Sequence, residues 1–331
     1  MTTFRDVALL FVAALAACAL PRGADSRSAR GPELDPSARS AAMRSASSPP
    51  VADNRSASAT NVDWRHASSD MNAPRRGVLL EELTWRAAET ALTPDTVVVI
   101  PIGAAAKEHG PHLELQNDYL LAEYFKSRVL ADADVVVAPT INYNYYPAFT
   151  EYPGSTSLRL ETARDLVVDV CRSLAHFGPR RFYALNTGVS TLKALAPAAE
   201  ILAADGILLH YTNLECLSAV EKETCRQEAG SHADEVETSI MLAIAPETVD
   251  MSKAVKDCNA KGKGGLSRDP RECEGPDGKT FSPSGVFGDP TLATREKGVK
   301  LADELTRIVL AEIESLRCAP LPDGRSASAA R

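Results

Sequence analysis

Short β-branched runs alternate with helix-period apolar stripes through the middle of this chain, and that alternation restricts the fold more than any other feature. Thr96-Val-Val-Val-Ile-Pro-Ile102, ending at Gly103, reads as a strand buried on both faces, as in a parallel sheet. Leu120, Leu121, Tyr124, Phe125 and Val129 then fall on one helical stripe after Asp118. The pattern repeats. Residues 134–138 and 181–185 read as strands, with a helical face at Leu166, Val167, Val170, Cys171 and Leu174 between them. Leu192, Leu195, Ala199 and Leu202 make the next helix, and residues 206–211 the next strand. Such βαβ succession predicts an α/β fold on a largely parallel sheet, with its chemistry in loops at the carboxyl ends of the strands.

The pattern does not reach the ends of the chain. Arg5 precedes an apolar run from Val7 to Leu20, as long as the core of a secretory signal, so residues 1–20 are expected to be a removed export segment. Within it, Leu15-Ala16-Ala17-Cys18 is similar to a bacterial lipobox, which would leave Cys18 as a lipid-bearing first residue; ordinary cleavage after Ala17 or near Ala24 is the alternative. A periplasmic or outer-membrane-anchored location is therefore expected in a bacterium. Residues 21–76 are mostly Ser, Ala, Arg, Pro and Asp, too poor in large apolar groups to offset ordering entropy, and are expected to be a disordered tether. Arg-Ser-Ala-Ser at 44–47 and 55–58 recurs at 325–328, so 319–331 is expected to be a flexible tail. That leaves one domain over 77–318. Nine Arg against six acidic residues between 19 and 76 make the tether mildly basic and leave the body acidic, within a net charge of -8. That balance argues against a nucleic-acid partner.

Seven Cys stand at 18, 171, 216, 225, 258, 273 and 318. Setting Cys18 aside, Cys216 with Cys225 and Cys258 with Cys273 are the economical local pairs in an oxidising compartment, though six Cys allow 15 connectivities. Cys171 lies in an apolar helical pattern and reads equally as a buried free thiol.

The loop after the first strand is the richest in chemistry: Lys107-Glu108-His109-Gly110-Pro111-His112-Leu113-Glu114-Leu115-Gln116-Asn117-Asp118. Carboxylates with imidazoles suit zinc, manganese or iron, and an Asp can bridge two ions through its two oxygens. The same residues have plainer uses, a Glu and His bonding the loop and Asp118 capping the helix that it begins. Ser190, Thr191 and Ser239 stand in no Gly-x-Ser-x-Gly elbow, and Lys261-Gly-Lys-Gly-Gly265 lacks phosphate-loop spacing.

Four motifs in order over roughly 78–317 resemble the creatininase family of metal-dependent amidohydrolases. The first is Pro101-Ile-Gly103 with Glu108-His109-Gly110-Pro111-His112-Leu113 and Asp118. The second, Tyr152-Pro-Gly154-Ser155-Thr-Ser-Leu158, is similar to the family's substrate-side loop. The third is His232-Ala-Asp-Glu-Val-Glu237-Thr-Ser239, and the fourth runs from Gly285-Val-Phe-Gly288-Asp289-Pro290 to Gly298. The resemblance implies a three-layer α/β/α fold and a homo-oligomer. It also implies zinc or manganese, with iron as a further option, acting on a cyclic amide, small linear amide or peptide-like C–N bond. Carried over, His109, Asp118, Glu237 and Glu108 would hold metal and His232 would transfer protons. Gly154 and Ser155 would line the substrate. Read from the residues alone, the aromatic stretch Tyr143, Tyr145, Tyr146 and Phe149 either walls a pocket, with Tyr146 as the candidate, or equally packs the loop itself.

Two departures bear on the chemistry. The family usually writes Glu-x-His where this chain has Lys107-Glu108-His109, one residue further from Gly103; this reads as an insertion that leaves Glu108 as the nearby carboxylate to replace the first ligand. After the strand at 181–185 the family usually has a metal-binding His, and here Asn186-Thr187-Gly188-Val189-Ser190-Thr191 has none. His210 is a candidate substitute, with an ordinary strand-end His as the preferred reading. A catalytically degenerate binding or scaffold protein is the alternative expectation, and a lipid-tethered structural protein a third.

Overall fold

The computed structural model describes residues 75–258 and 282–324. The expected export segment, most of the tether, the Lys261–Gly265 loop, Cys273 and the tail beyond 324 lie outside those residues. Five parallel strands, β1 (Val78–Leu79), β2 (Val97–Ile102), β3 (Val136–Val137), β4 (Arg181–Asn186) and β5 (Leu208–Tyr211), form one sheet in the order β1-β3-β2-β4-β5. The helices are α1 (Trp85–Ala91), α2 (Asn117–Asp132), α3 (Leu160–Ala175), α4 (Leu192–Ala204), α5 (Ser218–Thr224), α6 (Glu235–Ile244) and α7 (Arg295–Cys318).

The period-2 alternation of the strands divides the core. Val97, Val99, Val137, Tyr183 and Leu185 pack against α2, α6 and α7 on one face. Val98, Ile100, Ile102, Phe182 and Ala184 pack against α3 and α4 on the other. This is the three-layer α/β/α arrangement that the resemblance implied. All six residues of β2 are buried, and side chains of this kind contribute about 1.5–3 kcal/mol each on burial. Strand β1 escaped the sequence reading because two residues show no period. Among the described residues no helix is long and apolar enough to cross a membrane.

Several connections tie the ends down. Arg76, at the edge of the expected tether, donates from its backbone N–H to the Leu130 carbonyl at 3.0 Å. Arg181 donates to the Ala319 carbonyl at 3.0 Å, which fixes the start of the expected tail. Cys216 and Cys225 are both free, against the expected pairing. The seven-residue helix α5 separates them and rises about 10 Å, beyond the reach of a disulfide. Cys171 is a buried free thiol, pushed up to about 12 by burial.

The close approach of β2 and α2 sets the position of the first loop. A Cβ on Gly103 would stand 2.2 Å from the Asp118 carbonyl oxygen and 2.7 Å from the Ala122 Cβ. Only glycine lets the strand end sit directly under the first turn of the helix, which puts Asp118 at the carboxyl edge of the sheet.

Candidate metal-binding site

Loops from three parts of the chain converge on that edge. After β2, the Lys107 N–H donates to the Leu115 carbonyl at 3.0 Å, closing the loop on itself. After β4, the Thr187 hydroxyl donates to the Asp118 carbonyl at 2.9 Å and to Ile102 at 3.1 Å, so the next loop braces the start of α2. The third is the turn into α6. His232 pairs antiparallel with Phe287, Ala233 follows at φ 49°, and Asp234 caps α6 by accepting from the Val236 and Glu237 N–H groups. Glu237 therefore points back over the turn, where one of its oxygens accepts from the Ala233 N–H.

His109 and Asp118 are buried together. His109 Nδ1 lies 2.9 Å from the Lys107 carbonyl, an oxygen that can only accept, so Nδ1 carries the proton. That tautomer turns the Nε2 lone pair toward Asp118 Oδ1, 2.7 Å away. Two lone-pair atoms at this separation need a proton or a metal ion between them. His109, His232 and Glu237 also offer ligand atoms that all lie within 4.8 Å of one another. The donor set, two imidazoles with carboxylates, fits a borderline divalent cation such as zinc or manganese.

The other expected site residues divide. Glu108 turns its carboxylate to His232, with Oε2 3.2 Å from Nε2, and its other oxygen accepts from the Gly110 N–H. A Cβ on Gly285, at φ 74°, would stand on this carboxylate, so the fourth motif leaves room for the first. His232 Nδ1 faces Glu237 at 3.9 Å, which places the imidazole between two carboxylates. Ser155 accepts the Glu108 N–H at 2.9 Å and thus supports the metal loop from below. Gly154 packs on Leu115. Tyr146 is fully buried with Phe149, Tyr152 and Ala104 and does not line the cleft, against its expected place in a substrate wall. Its ring is needed to fill that small core, and Phe149 is the aromatic that reaches the cleft, 4.6 Å from the His232 ring. His210 pairs with Glu312 at 3.8 Å, outside the His109 cluster.

Lys107 is the residue that sequence reasoning passed over. Its ammonium is buried, 2.7 Å from Asp118 Oδ2. Burial opposes the charge of the amine, but Asp118 beside it, with Glu237 and Glu108, holds Lys107 above the usual lysine value. Burial opposes the Asp118 carboxylate too, yet Lys107 and His109 hold it well below the usual range. The only signal in the sequence was position, two residues before His109, where the resemblance expects a carboxylate. Lys107, Phe149, His232, Asp234 and Glu237 line a cleft of about 770 Å³, a size suited to a small-molecule site.

His112 clamps the loop to α6 through Thr238, Nε2 to Oγ1 being 2.8 Å. Burial, aided by His109 and His232, outweighs Glu237 and Glu108 and pushes His112 down to about 4. An unfolded His takes up its proton near pH 6.5, so between pH 6.5 and 4 the unfolded state binds more protons and stability falls with acid. This group is expected to remove about 3 kcal/mol from the metal-free fold over that window. His112→Gln, which keeps a partner for Thr238, is expected to flatten the slope in urea unfolding measured at several pH values. An unchanged slope would contradict the burial argument.

Fold and site together define an α/β protein with a candidate divalent-metal centre at the carboxyl edge of its parallel sheet. The family profile for creatininase, described as creatinine amidohydrolase, matches residues 81–313. The chain belongs to the creatininase family. It is 27% identical over 215 residues to the mycofactocin precursor peptide peptidase of Mycolicibacterium smegmatis, covering 63% of this chain and 81% of that protein. It is 28% identical over 200 residues to the creatinine amidohydrolase of Pseudomonas putida, covering 54% and 76%. A solved creatininase in a manganese form shares the fold, with TM-score 0.61 and 24% identity over 73% of this chain and 100% of that one. A Zn–Zn form of a creatininase mutant has also been solved, with TM-score 0.60, 24% identity and cover of 73% and 98%.

Proposed function

We propose that the protein hydrolyses an amide-type C–N bond of a small or peptide-like substrate, with a divalent ion, zinc or manganese, held by His109, Asp118 and Glu237. The convergence of His109, His232 and Glu237, whose ligand atoms lie within 4.8 Å of one another, with Asp118 Oδ1 2.7 Å from His109 Nε2, carries this reading. When bound, the ion would acidify a water and polarise the substrate carbonyl. His232 stands beside that place and is the group to take a proton from the attacking water and return it to the leaving nitrogen. Glu108 orients the ring through Nε2 and favours the charged imidazole as it forms. Phe149 lies against the imidazole, tilted by 46° with ring centres 4.6 Å apart, and covers part of the ring. Thr187 and Gly188 also line the cleft. Export, a lipid on Cys18 and a homo-oligomeric state belong to the same proposal, supported by the apolar run from Val7 to Leu20 and by the family resemblance.

The test is release of amine from a panel of cyclic amides, linear amides and short peptides, before and after chelation. Activity lost with chelator and restored by zinc or manganese supports the reading; activity indifferent to chelation overturns it. The Lys107–Asp118 pair favours one other reading, a ligand-binding protein without turnover. Tight binding of an amide that is never cut would establish it.

A further inference from the structure

Asp118 has two oxygens and the structure gives them different neighbours. Oδ1 faces His109 Nε2. Oδ2 accepts from the Lys107 ammonium at 2.7 Å, with both side chains almost wholly buried. Gly188 also approaches Oδ2, and an added Cβ there would lie 3.7 Å from it. A side chain at 188 could deliver a ligand to that oxygen, and glycine has none. On the Oδ2 side stand the Lys107 ammonium and the Gly188 backbone, and among the described residues the one three-ligand cluster is that of His109, His232 and Glu237.

Charge leads to the same place. Asp118, Glu237 and Glu108 are the carboxylates that act on Lys107. The ammonium already supplies one positive charge to these carboxylates, so a second divalent ion beside it would crowd like charges in a buried place. In a buried site an uncompensated excess of that kind is costly.

We propose that the Lys107 ammonium permanently fills the second cation position of this centre, so that Asp118 bridges one ammonium and one divalent ion and the site is mononuclear. The inference rests on the metal-dependent reading above. It makes Lys107 a positioning residue: it fixes the Asp118 carboxylate, with Oδ1 turned to the ion, and its charge lies close enough to be felt by that ion. The ammonium also lines the cleft, 4.8 Å from the centre of the Phe149 ring, so the bound substrate meets an N–H donor where a second metal would offer a Lewis acid.

The experiment is titration of the full chain, stripped of metal, with zinc alone, followed by elemental analysis after gel filtration. Saturation at one ion per chain is the expected result. Two ions per chain would overturn this inference and leave the hydrolase reading standing, whereas no bound ion would overturn both. The charge is tested separately by zinc affinity. Lys107→Met removes a like charge beside the ion and is expected to bind zinc about tenfold tighter or more. Lys107→Arg keeps the charge and is expected to stay within about threefold of the native chain. A Met variant that binds zinc no more tightly than the native chain would overturn the proposal.

Discussion

Asp118→Ala is expected to leave the purified chain without bound metal and without hydrolysis, and to cost the metal-free fold about 3–5 kcal/mol. The two effects have separate causes. Loss of metal follows from loss of Oδ1, which faces His109 across 2.7 Å. Loss of stability follows from Oδ2, because the substitution strands the Lys107 ammonium in a place where it is only 6% exposed. Asp118→Asn separates them: it keeps the shape but loses the charge, and should still fail to hold metal. Elemental analysis and urea unfolding of the metal-free proteins are the measurements. Metal retained by Asp118→Ala at the native level would refute the assignment of the ligand.

His232→Gln is expected to behave in the opposite way, keeping its metal while turnover falls by about 10²–10⁴. His109, Asp118 and Glu237 all remain in that variant, so the ligands proposed for the ion are intact. The proton path is not, because an amide side chain cannot accept a proton from water near neutral pH. His232 also lies within ligand distance of His109 and Glu237. A variant that loses metal together with turnover would therefore make His232 a ligand and remove it from proton transfer. Single-turnover assays on metal-quantified protein distinguish the two outcomes.

Much of this architecture was legible in the residues themselves. The run from Val97 to Ile102 has apolar groups on both faces and can be satisfied only between two layers, and it became the buried strand β2. Stripes such as Leu120, Leu121, Phe125 and Val129 fixed which side of α2 meets the sheet. Local spacing failed where the decisive contact is long in sequence or the element too short. The expected bond between Cys216 and Cys225 ignored the helix between them. Tyr146 reads as a wall residue because aromatic rings serve cores and pockets alike, and only packing against Tyr152 and Ala104 decides. Lys107 was hidden for a related reason. A lysine is presumed to be solvated, and nothing in the flanking residues says that Asp118, eleven positions on, will draw it inside.

The backbone at Ala233 has a consequence for any attempt to improve this protein. A left-handed conformation costs a residue with a Cβ about 1–2 kcal/mol, and glycine would adopt it freely. The alanine methyl nevertheless packs into the core beside α6, and the neighbouring turn fixes both His232 and Glu237. Exchanging Ala233 for glycine would relieve that backbone but give up the packed methyl, about 0.8 kcal/mol, and loosen the unfolded chain by about 0.5–1 kcal/mol, so strain and gain nearly cancel and the alanine is held there at little net cost.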